Sequence, residues 1–149
     1  MPTSTRFVLA IHVLASLAVT DGDPMRSEDL AFSVNTNATF IRSLLSRLQD
    51  AGLTTSQLGT GGGALLAKAA EKIRLLDVYR AVEEGEIFAF HRQGPNESCV
   101  VGKNIQAAIR PSLDRATRAL EQQLLSVTIA DIAKEVARLG KFSIPWKGC

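Results

Sequence analysis

The segment at residues 37–51 constrains the fold most, because one face of it must be buried and the opposite face must not. Apolar side chains recur at three- and four-residue spacing on the first face: Phe40, Ile41, Leu44, Leu48 and Ala51, with Leu45 beside them. Polar side chains make up the other face: Thr39, Arg42, Ser43, Ser46 and Asp50. Asn37 is a favourable N-cap for such a helix, and Gly52 suits its end. The pattern predicts a helix that packs through one side and presents hydrogen-bonding groups on the other.

Two further helices are predicted before this segment. The first covers residues 4–20, with Ser4 as a possible cap, and the second is a short helix at residues 27–33 with Ser27 as its expected N-cap. A turn at residues 35–37 then leads into the amphipathic helix. Two helices joined by a short turn, the second of them polar on its outer face, are the helix-turn-helix arrangement of DNA-binding proteins.

A Thr-rich run and a Gly-rich loop follow the predicted helix pair. Residues 53–57 and 64–67 have the character of short strands, and residues 59–63 form a tight loop between them. A helix-turn-helix followed by such a hairpin is a winged helix, and the glycines let Thr60 and Gly61 approach a phosphate. A nucleotide-phosphate cradle is disfavoured, because no Lys-Ser/Thr pair and no long helix follow the loop. A flexible hairpin tip remains the plain alternative, although it needs only one or two glycines.

The second half of the chain is predicted to be helical around one connector. Residues 73–84 form a fourth helix, residues 85–98 have turn chemistry, and residues 129–139 form a last helix that Thr128 caps and Gly140 ends.

One long helix is predicted at residues 101–125, with a kink or an offset start because Pro111 lies inside it. Its apolar stripe consists of Ile105, Ala108, Ile109, Leu113, Ala116, Leu120 and Leu124. This stripe is longer than a domain of this size needs for its own core, so it predicts a two-fold dimer. We expect a mostly α fold with a small β-hairpin wing: a winged helix-turn-helix at residues 1–85, then a connector, a dimerisation helix and a C-terminal helix at residues 86–149.

Composition narrows the class of protein. The chain has 149 residues, of which 46% are apolar, enough for the core of one domain. It has no uninterrupted apolar run of about 20 residues, no recognisable signal peptide and only two cysteines, so the cytoplasm is the expected compartment. The net charge is +2, yet residues 1–60 contain four arginines against five acidic residues. DNA binding would therefore need a local basic face.

Neither catalysis nor a resident metal is predicted. No Ser-His-Asp set, paired carboxylates or zinc spacing is present, so the chain is not expected to be an enzyme or to hold a cofactor. His12 lies on an otherwise apolar helix and is expected to be packed or at an interface. Trp146 is either an anchor for the tail or exposed.

Three runs of sequence resemble one known family. They are SRLQDAGLTTSQLGTGGGALLAK at residues 46–68, IRLLDVYRAVE at residues 73–83 and CVVGKNI at residues 99–105. Together they resemble the Rrf2 family of bacterial winged-helix transcription regulators over about residues 4–135. The resemblance implies a long dimerisation helix and a homodimer that binds double-stranded DNA at a dyad-symmetric operator.

The resemblance also assigns positions. The family's base-reading positions match Thr39, Arg42 and Ser43, whereas Leu58 stands where the wing commonly carries an arginine that enters the minor groove. Ala64 replaces the usual tyrosine or similar residue after the glycines. Members that bind an iron–sulfur cluster carry three cysteines in the connector, and this chain has only Cys99 there, so it resembles the cluster-free subgroup.

The residues expected to contact DNA are Ser27, Asn37, Thr39, Arg42, Ser43, Ser46, Arg47, Thr60 and Gly61. Ser46 and Arg47 are expected to reach phosphates, and the resulting hypothesis is a dimeric repressor of a pseudo-palindromic operator. The alternative is a winged-helix module that binds a protein and has lost affinity for DNA. Cys99 is either a half-buried packing residue or a redox-sensing thiol, and the inducing signal is a small molecule or a redox change.

Overall fold

The computed structural model describes residues 5–146, which fold into six α-helices and one two-stranded antiparallel sheet. The helices are α1 (Thr5–Thr20), α2 (Ser27–Val34), α3 (Ala38–Asp50), α4 (Leu75–Val82), α5 (Val100–Leu125) and α6 (Ile129–Gly140). The strands are β1 (Thr54–Gln57) and β2 (Gly63–Leu66), and a short 3₁₀ turn spans Ala70–Lys72. The predicted mostly α fold with a hairpin wing is confirmed. The predicted cap Ser4 and the tail residue Cys149 lie outside the described residues.

Helix α1 is the centre of the hydrophobic core. Its Ala10, Val13 and Leu14 are fully buried, and α2, α3, α4, α6 and β2 all pack against it. The other fully buried large side chains come from all parts of this shell: Leu30, Ile41, Leu44, Leu48, Leu53, Ile73, Val78, Val82 and Ile129. Helix α6 therefore packs with the N-terminal half, although it lies beyond the predicted division at residue 85. That division stays a prediction.

Two predicted helix caps are confirmed and one is wrong. The Asn37 side chain accepts a hydrogen bond from the backbone N–H of Phe40 at 2.8 Å, and Thr128 caps α6. Ser27 does not cap α2, because it is the first residue of the helix and Arg26 occupies the cap position without a side-chain bond. The reason lies in Met25, whose backbone pairs with Ala64 of β2 and keeps the chain extended up to the helix.

Helix α4 begins two residues later than predicted and α6 ends differently. The backbone of Ile73 accepts from Ile129, and Arg74 pairs with Thr128, so this stretch is extended and the helix begins at Leu75. Gly140 belongs to α6, and the left-handed residue that ends the helix is Lys141, with φ +56°.

Helix α5 is one uninterrupted element that begins at Val100, so the offset start predicted from Pro111 is wrong. None of its side chains is buried in the single chain, and the stripe residues Ile105, Ile109 and Leu120 are each 39% exposed. Within residues 5–146, no helix is both long and apolar enough to cross a membrane.

Candidate nucleic-acid interface

Helix α3 is positioned as an amphipathic helix on the surface of the core. Its Ile41, Leu44 and Leu48 are buried, while four of the predicted contact residues on its other face are exposed: Thr39, Arg42, Ser43 and Ser46. These four recur at three- and four-residue spacing, so they form one stripe along the helix. Helix α2 packs across α3, which leaves this stripe open.

Arg42 is held by a partner that the sequence did not reveal. Its Nη2 lies 2.8 Å from Oε1 of Glu28, which belongs to the first turn of α2. Both side chains remain more than half exposed, so water screens the pair. The pKa of the Glu28 carboxyl lies below its ordinary value, first because a backbone N–H donates to it and then because Arg42 is near. The start of α2 thus lies beside the middle of the α3 stripe.

The other arginines of the first 60 residues also have partners. Arg47 is only partly exposed and lies 3.1 Å from Glu84, and Arg26 lies 3.2 Å from Asp29. Arg6 donates to the backbone carbonyl of Val82 at 2.9 Å. Each of the four arginine guanidinium groups in the first 60 residues therefore has an acidic or carbonyl partner in the free protein. Any approach to phosphate exchanges one partner for another.

Two of the predicted contact residues are less available to a ligand than the α3 stripe. Asn37 is exposed, but its carbonyl oxygen is committed to the α3 cap, which leaves its amide N–H groups as donors. Ser27 is half-buried at the start of α2, so its hydroxyl is less accessible than the α3 stripe.

The wing presents Thr60 and Gly61 at an exposed tip, beside Leu58, which is 91% exposed. The glycines have reasons internal to the fold. A Cβ on Gly62 would lie 2.1 Å from the carbonyl oxygen of Gln57, so the turn closes too tightly for any side chain. The wing is also tied to α3, because Ser56 donates to the Gln49 side chain at 3.3 Å.

One exposed apolar residue was missed. Phe32, at the end of α2, is 80% exposed, although a phenyl ring is normally buried. The α2 segment is so short that its helical pattern did not indicate whether Phe32 would be buried or exposed. Ala64, by contrast, is buried where the family carries a larger residue, and its backbone pairs with Met25.

Cys99 is exposed in the single chain and occupies the N-cap position of α5, so the half-buried environment expected for a packing residue is not observed there. Its role in redox sensing stays a prediction. Its thiol has a lowered pKa because the backbone N–H groups of Gly102 and Val101 interact with the sulfur. The connector closes tightly here, since a Cβ on Gly102 would lie 2.2 Å from the carbonyl oxygen of Asn96.

Comparison with known sequences decides the family. The model of the Rrf2 family, described as an iron-dependent transcriptional regulator, matches residues 3–135. The chain belongs to the Rrf2 family. Among Rrf2-type relatives, it is 38% identical over 130 residues to the candidate HTH-type transcriptional regulator YwnA of Bacillus subtilis, covering 87% of this chain and 95% of that protein. These relatives are transcriptional regulators and not enzymes.

Solved structures of similar proteins share the fold. A crystal structure of a candidate DNA-binding protein is 38% identical, with a TM-score of 0.69, and the match covers 86% of this chain and 98% of that one. IscR of T. potens matches with a TM-score of 0.72 at 21% identity, over 93% of this chain and 90% of its own. At that identity the second match supports the Rrf2 fold alone.

The ligand set needed for an iron–sulfur cluster does not fit this chain. A cluster is normally held by several thiolates, and the connector of this chain contains a single cysteine, Cys99. Across residues 5–146, no three His, Cys, Asp or Glu side chains are grouped as metal ligands. Iron dependence, which belongs to the family description, is therefore not carried over to this chain.

Proposed function

We propose that this Rrf2 regulator is a homodimeric repressor that reads a pseudo-palindromic operator with α3. The observation that carries the proposal is the exposed polar stripe of α3, which opposes three fully buried apolar residues of the same helix. Short hydroxyls and one guanidinium at this spacing suit the edges of bases in the major groove. Thr39, Arg42 and Ser43 would contact bases, and Ser46 and Arg47 would contact phosphates.

The other predicted residues complete this surface. Ser27 would approach the backbone from the start of α2, together with the free amide of Asn37. Thr60 and Gly61 would bring backbone N–H groups of the wing to a phosphate. Leu58 carries no charge, so the wing would make apolar contact with the groove or none, and would not place an arginine there.

The dimer is proposed from the exposure of α5. Helix α5 has 26 residues and is therefore about 39 Å long. In the single chain, α4 is the helix against which it chiefly packs. Its half-exposed stripe would be covered by the same stripe of a second copy, as two-fold symmetry requires. Two copies of α3 would then face half-sites about one helical turn, ~10 bp, or a multiple of it apart. Light scattering should give twice the chain mass, and a monomer at micromolar concentration would reject the arrangement.

Repression is proposed because a DNA-reading unit and a dimer helix would be enough to occupy an operator, and occupation of the operator is the simplest mode of action. Such a protein would work in the cytoplasm. The signal that releases it would be a small molecule or oxidation of Cys99, which lies exposed at the joint between the reading unit and α5.

The test begins with selection of bound fragments from genomic DNA, followed by anisotropy titrations on the selected operator and a scrambled duplex. Arg42→Ala should cost roughly 1–3 kcal/mol on the operator and relax specificity at one position. Arg138→Ala is the matched control, since it removes the same charge from an exposed ion pair on α6. If the Arg42 variant binds the operator like the parent, α3 is not the reading helix.

A second candidate function is a protein-interaction module. It is favoured by the exposed apolar side chains of Phe32 and Leu58 and by the partnered arginines of the first 60 residues. Heparin chromatography separates the two candidates. A DNA reader should be retained and should elute with a steep dependence on salt, whereas an interaction module should pass through.

A further inference from the structure

A cavity of about 480 Å³ lies between α1, α2 and α6, and the chain that follows α6 closes one side of it. Ala15 and Val19 line it from α1, and Ile132 and Val136 line it from α6. This volume suits a small molecule, and most of the wall is apolar. None of the described lining residues belongs to the proposed DNA contact surface, so DNA binding does not explain the cavity.

The wall next to the C-terminal chain is aromatic. Phe142 and Trp146 stack with their ring centroids 4.7 Å apart and an angle of 22° between the planes. The backbone N–H of Trp146 donates to the carbonyl oxygen of Val19 at 3.0 Å, which ties this segment to the end of α1. The two rings therefore form a fixed apolar surface against which an aromatic body can pack.

The described part of the cavity wall offers no free charge to a ligand. Its charged residues are Asp23 and Asp29. Asp29 pairs with Arg26 at 3.2 Å, and Asp23 also has a partner. His12 lines the cavity too, and burial lowers its pKa, so the imidazole is uncharged at neutral pH. A charged ligand would lose its hydration here without gaining a free counter-charge, which favours an uncharged ligand.

Hydrogen-bonding capacity is concentrated where α1 meets α2. The Nε2 atom of His12 lies 2.9 Å from the hydroxyl oxygen of Ser33, and both residues line the cavity. One bond uses only part of what a serine hydroxyl can donate and accept. The other lining hydroxyls that donate, Ser16 and Thr20, already do so to backbone carbonyl groups. Whichever partner of the His12–Ser33 bond donates, a ligand hydroxyl can join it, because a hydroxyl both donates and accepts.

The hydrogen bond between α1 and α2 connects the cavity to the proposed DNA contact surface. Ser33 belongs to α2, and Glu28 at the start of the same helix pairs with Arg42 of α3. Met25 also lines the cavity, and its backbone pairs with Ala64 of the wing through two hydrogen bonds of 3.0 and 2.7 Å. A ligand that binds Ser33 and spreads these walls would shift α2 and the wing together.

We infer that this cavity binds an uncharged molecule with an aromatic body and one hydroxyl group, and that its occupant lowers operator affinity through α2 and Met25. The hydroxyl would bind at His12 and Ser33, and the body would pack between α1, α6 and the Phe142–Trp146 wall. The second half of the inference rests on the proposed function, whereas the first half does not.

Trp146 makes occupancy directly measurable, because it is the chain's single tryptophan. The parent protein is titrated with phenylbutanol, phenylbutylamine and phenylvalerate, which share one apolar body, while its emission is recorded without DNA. We expect saturable binding of the alcohol, and binding of the amine and the carboxylate that is weaker by about tenfold or more. Equal binding of all three probes, tighter binding of a charged one, or binding of none would overturn the site.

Variants test the hydroxyl contact and the space. Ser33→Ala should weaken binding of the alcohol about threefold to tenfold, whereas Ser98→Ala, which removes an exposed hydroxyl of the connector, should leave it unchanged. Val136→Phe should narrow the mouth of the cavity and abolish binding. Val136 is 43% exposed, so this variant should fold even if Ser33→Ala does not. Undiminished binding in Val136→Phe would place the probe elsewhere, and undiminished binding in a folded Ser33→Ala would refute the hydroxyl contact.

Coupling is tested on the selected operator. Saturating phenylbutanol should lower operator affinity about fivefold or more in the parent and have no effect in Val136→Phe. A saturable fluorescence response without a change in operator affinity would refute the coupling. A parent that binds no operator at all would refute the proposed function, and the fluorescence titration would still decide the site. Weaker dimerisation of Val136→Phe in light scattering would show that a second copy covers the cavity, and would also overturn the inference.

Discussion

Glu28→Gln is expected to strengthen DNA binding. In the free protein the Glu28 carboxylate lies 2.8 Å from the Arg42 guanidinium, on the surface that would face DNA. Arg42 must leave this partner to reach a base edge, and the carboxylate then repels nearby phosphates. Glutamine keeps the length of the side chain but removes both obstacles.

The size of the effect follows from exposure. The Glu28 and Arg42 side chains are 57% and 56% exposed, so water screens their attraction and the pair contributes little. We expect up to about a fivefold gain in affinity, similar for operator and scrambled DNA. On scrambled DNA the freed Arg42 would find a phosphate, so the slope of log K against log salt should steepen by about one. On the operator Arg42 would contact a base, and the slope should change less.

Anisotropy titrations over a salt series measure both quantities. Glu135→Gln is the matched control, because it opens the exposed Glu135–Arg138 pair on α6 and should leave DNA binding unchanged. Weaker operator binding by Glu28→Gln, with scrambled DNA unaffected, would refute the reasoning. It would mean that Glu28 holds Arg42 in its reading position and does not compete with DNA.

Four further outcomes are expected. Arg47→Ala should weaken binding to operator and scrambled DNA alike and reduce the salt slope by about one, whereas Arg138→Ala should not. A mild oxidant should lower operator affinity about fivefold in the parent and in Cys149→Ser but not in Cys99→Ser. The reason is that an adduct at the start of α5 would displace the segment between the reading unit and α5, which sets the half-site spacing. Anaerobic reconstitution with iron and sulfide should leave no stoichiometric visible chromophore after desalting, since too few thiolates are present. Burial lowers the pKa of His12 below its ordinary 6.5, so the unfolded chain binds a proton that the folded state does not. The free energy of unfolding should therefore fall as the pH drops through 6.5. His12→Gln should reduce this loss in urea unfolding curves.

Features of short sequence range could be predicted. The apolar spacing of α3, its Asn37 cap and the Thr128 cap of α6 depend on residues within one or two turns, so the sequence indicates them directly. The hairpin wing followed from the glycine cluster in the same way. The prediction of the α2 cap failed because Ala64, a residue outside the helix, pairs with Met25 and so determines where the extended chain ends.

Features of long range could not be predicted. Glu28 and Arg42 are separated by 14 residues, and Glu84 and Arg47 by 37, so no local pattern links these pairs. The extended stretch before α4 depends in the same way on the residues around Thr128.

The charge distribution indicates how such a protein would discriminate among DNA sequences. Affinity for DNA of any sequence comes from cations that replace the counterions of phosphates. In the first 60 residues every arginine already has a partner, and acids outnumber basic residues. A single reading unit would therefore bind random DNA weakly, so specificity would not require unusually strong base contacts. The same weakness makes one half-site insufficient, and a second unit fixed at the right spacing by α5 would supply the missing affinity. In the proposed dimer, the exposed stripe of α5 and the modest charge of α3 would be two parts of one arrangement, in which dimerisation would replace electrostatic attraction as the main source of operator affinity.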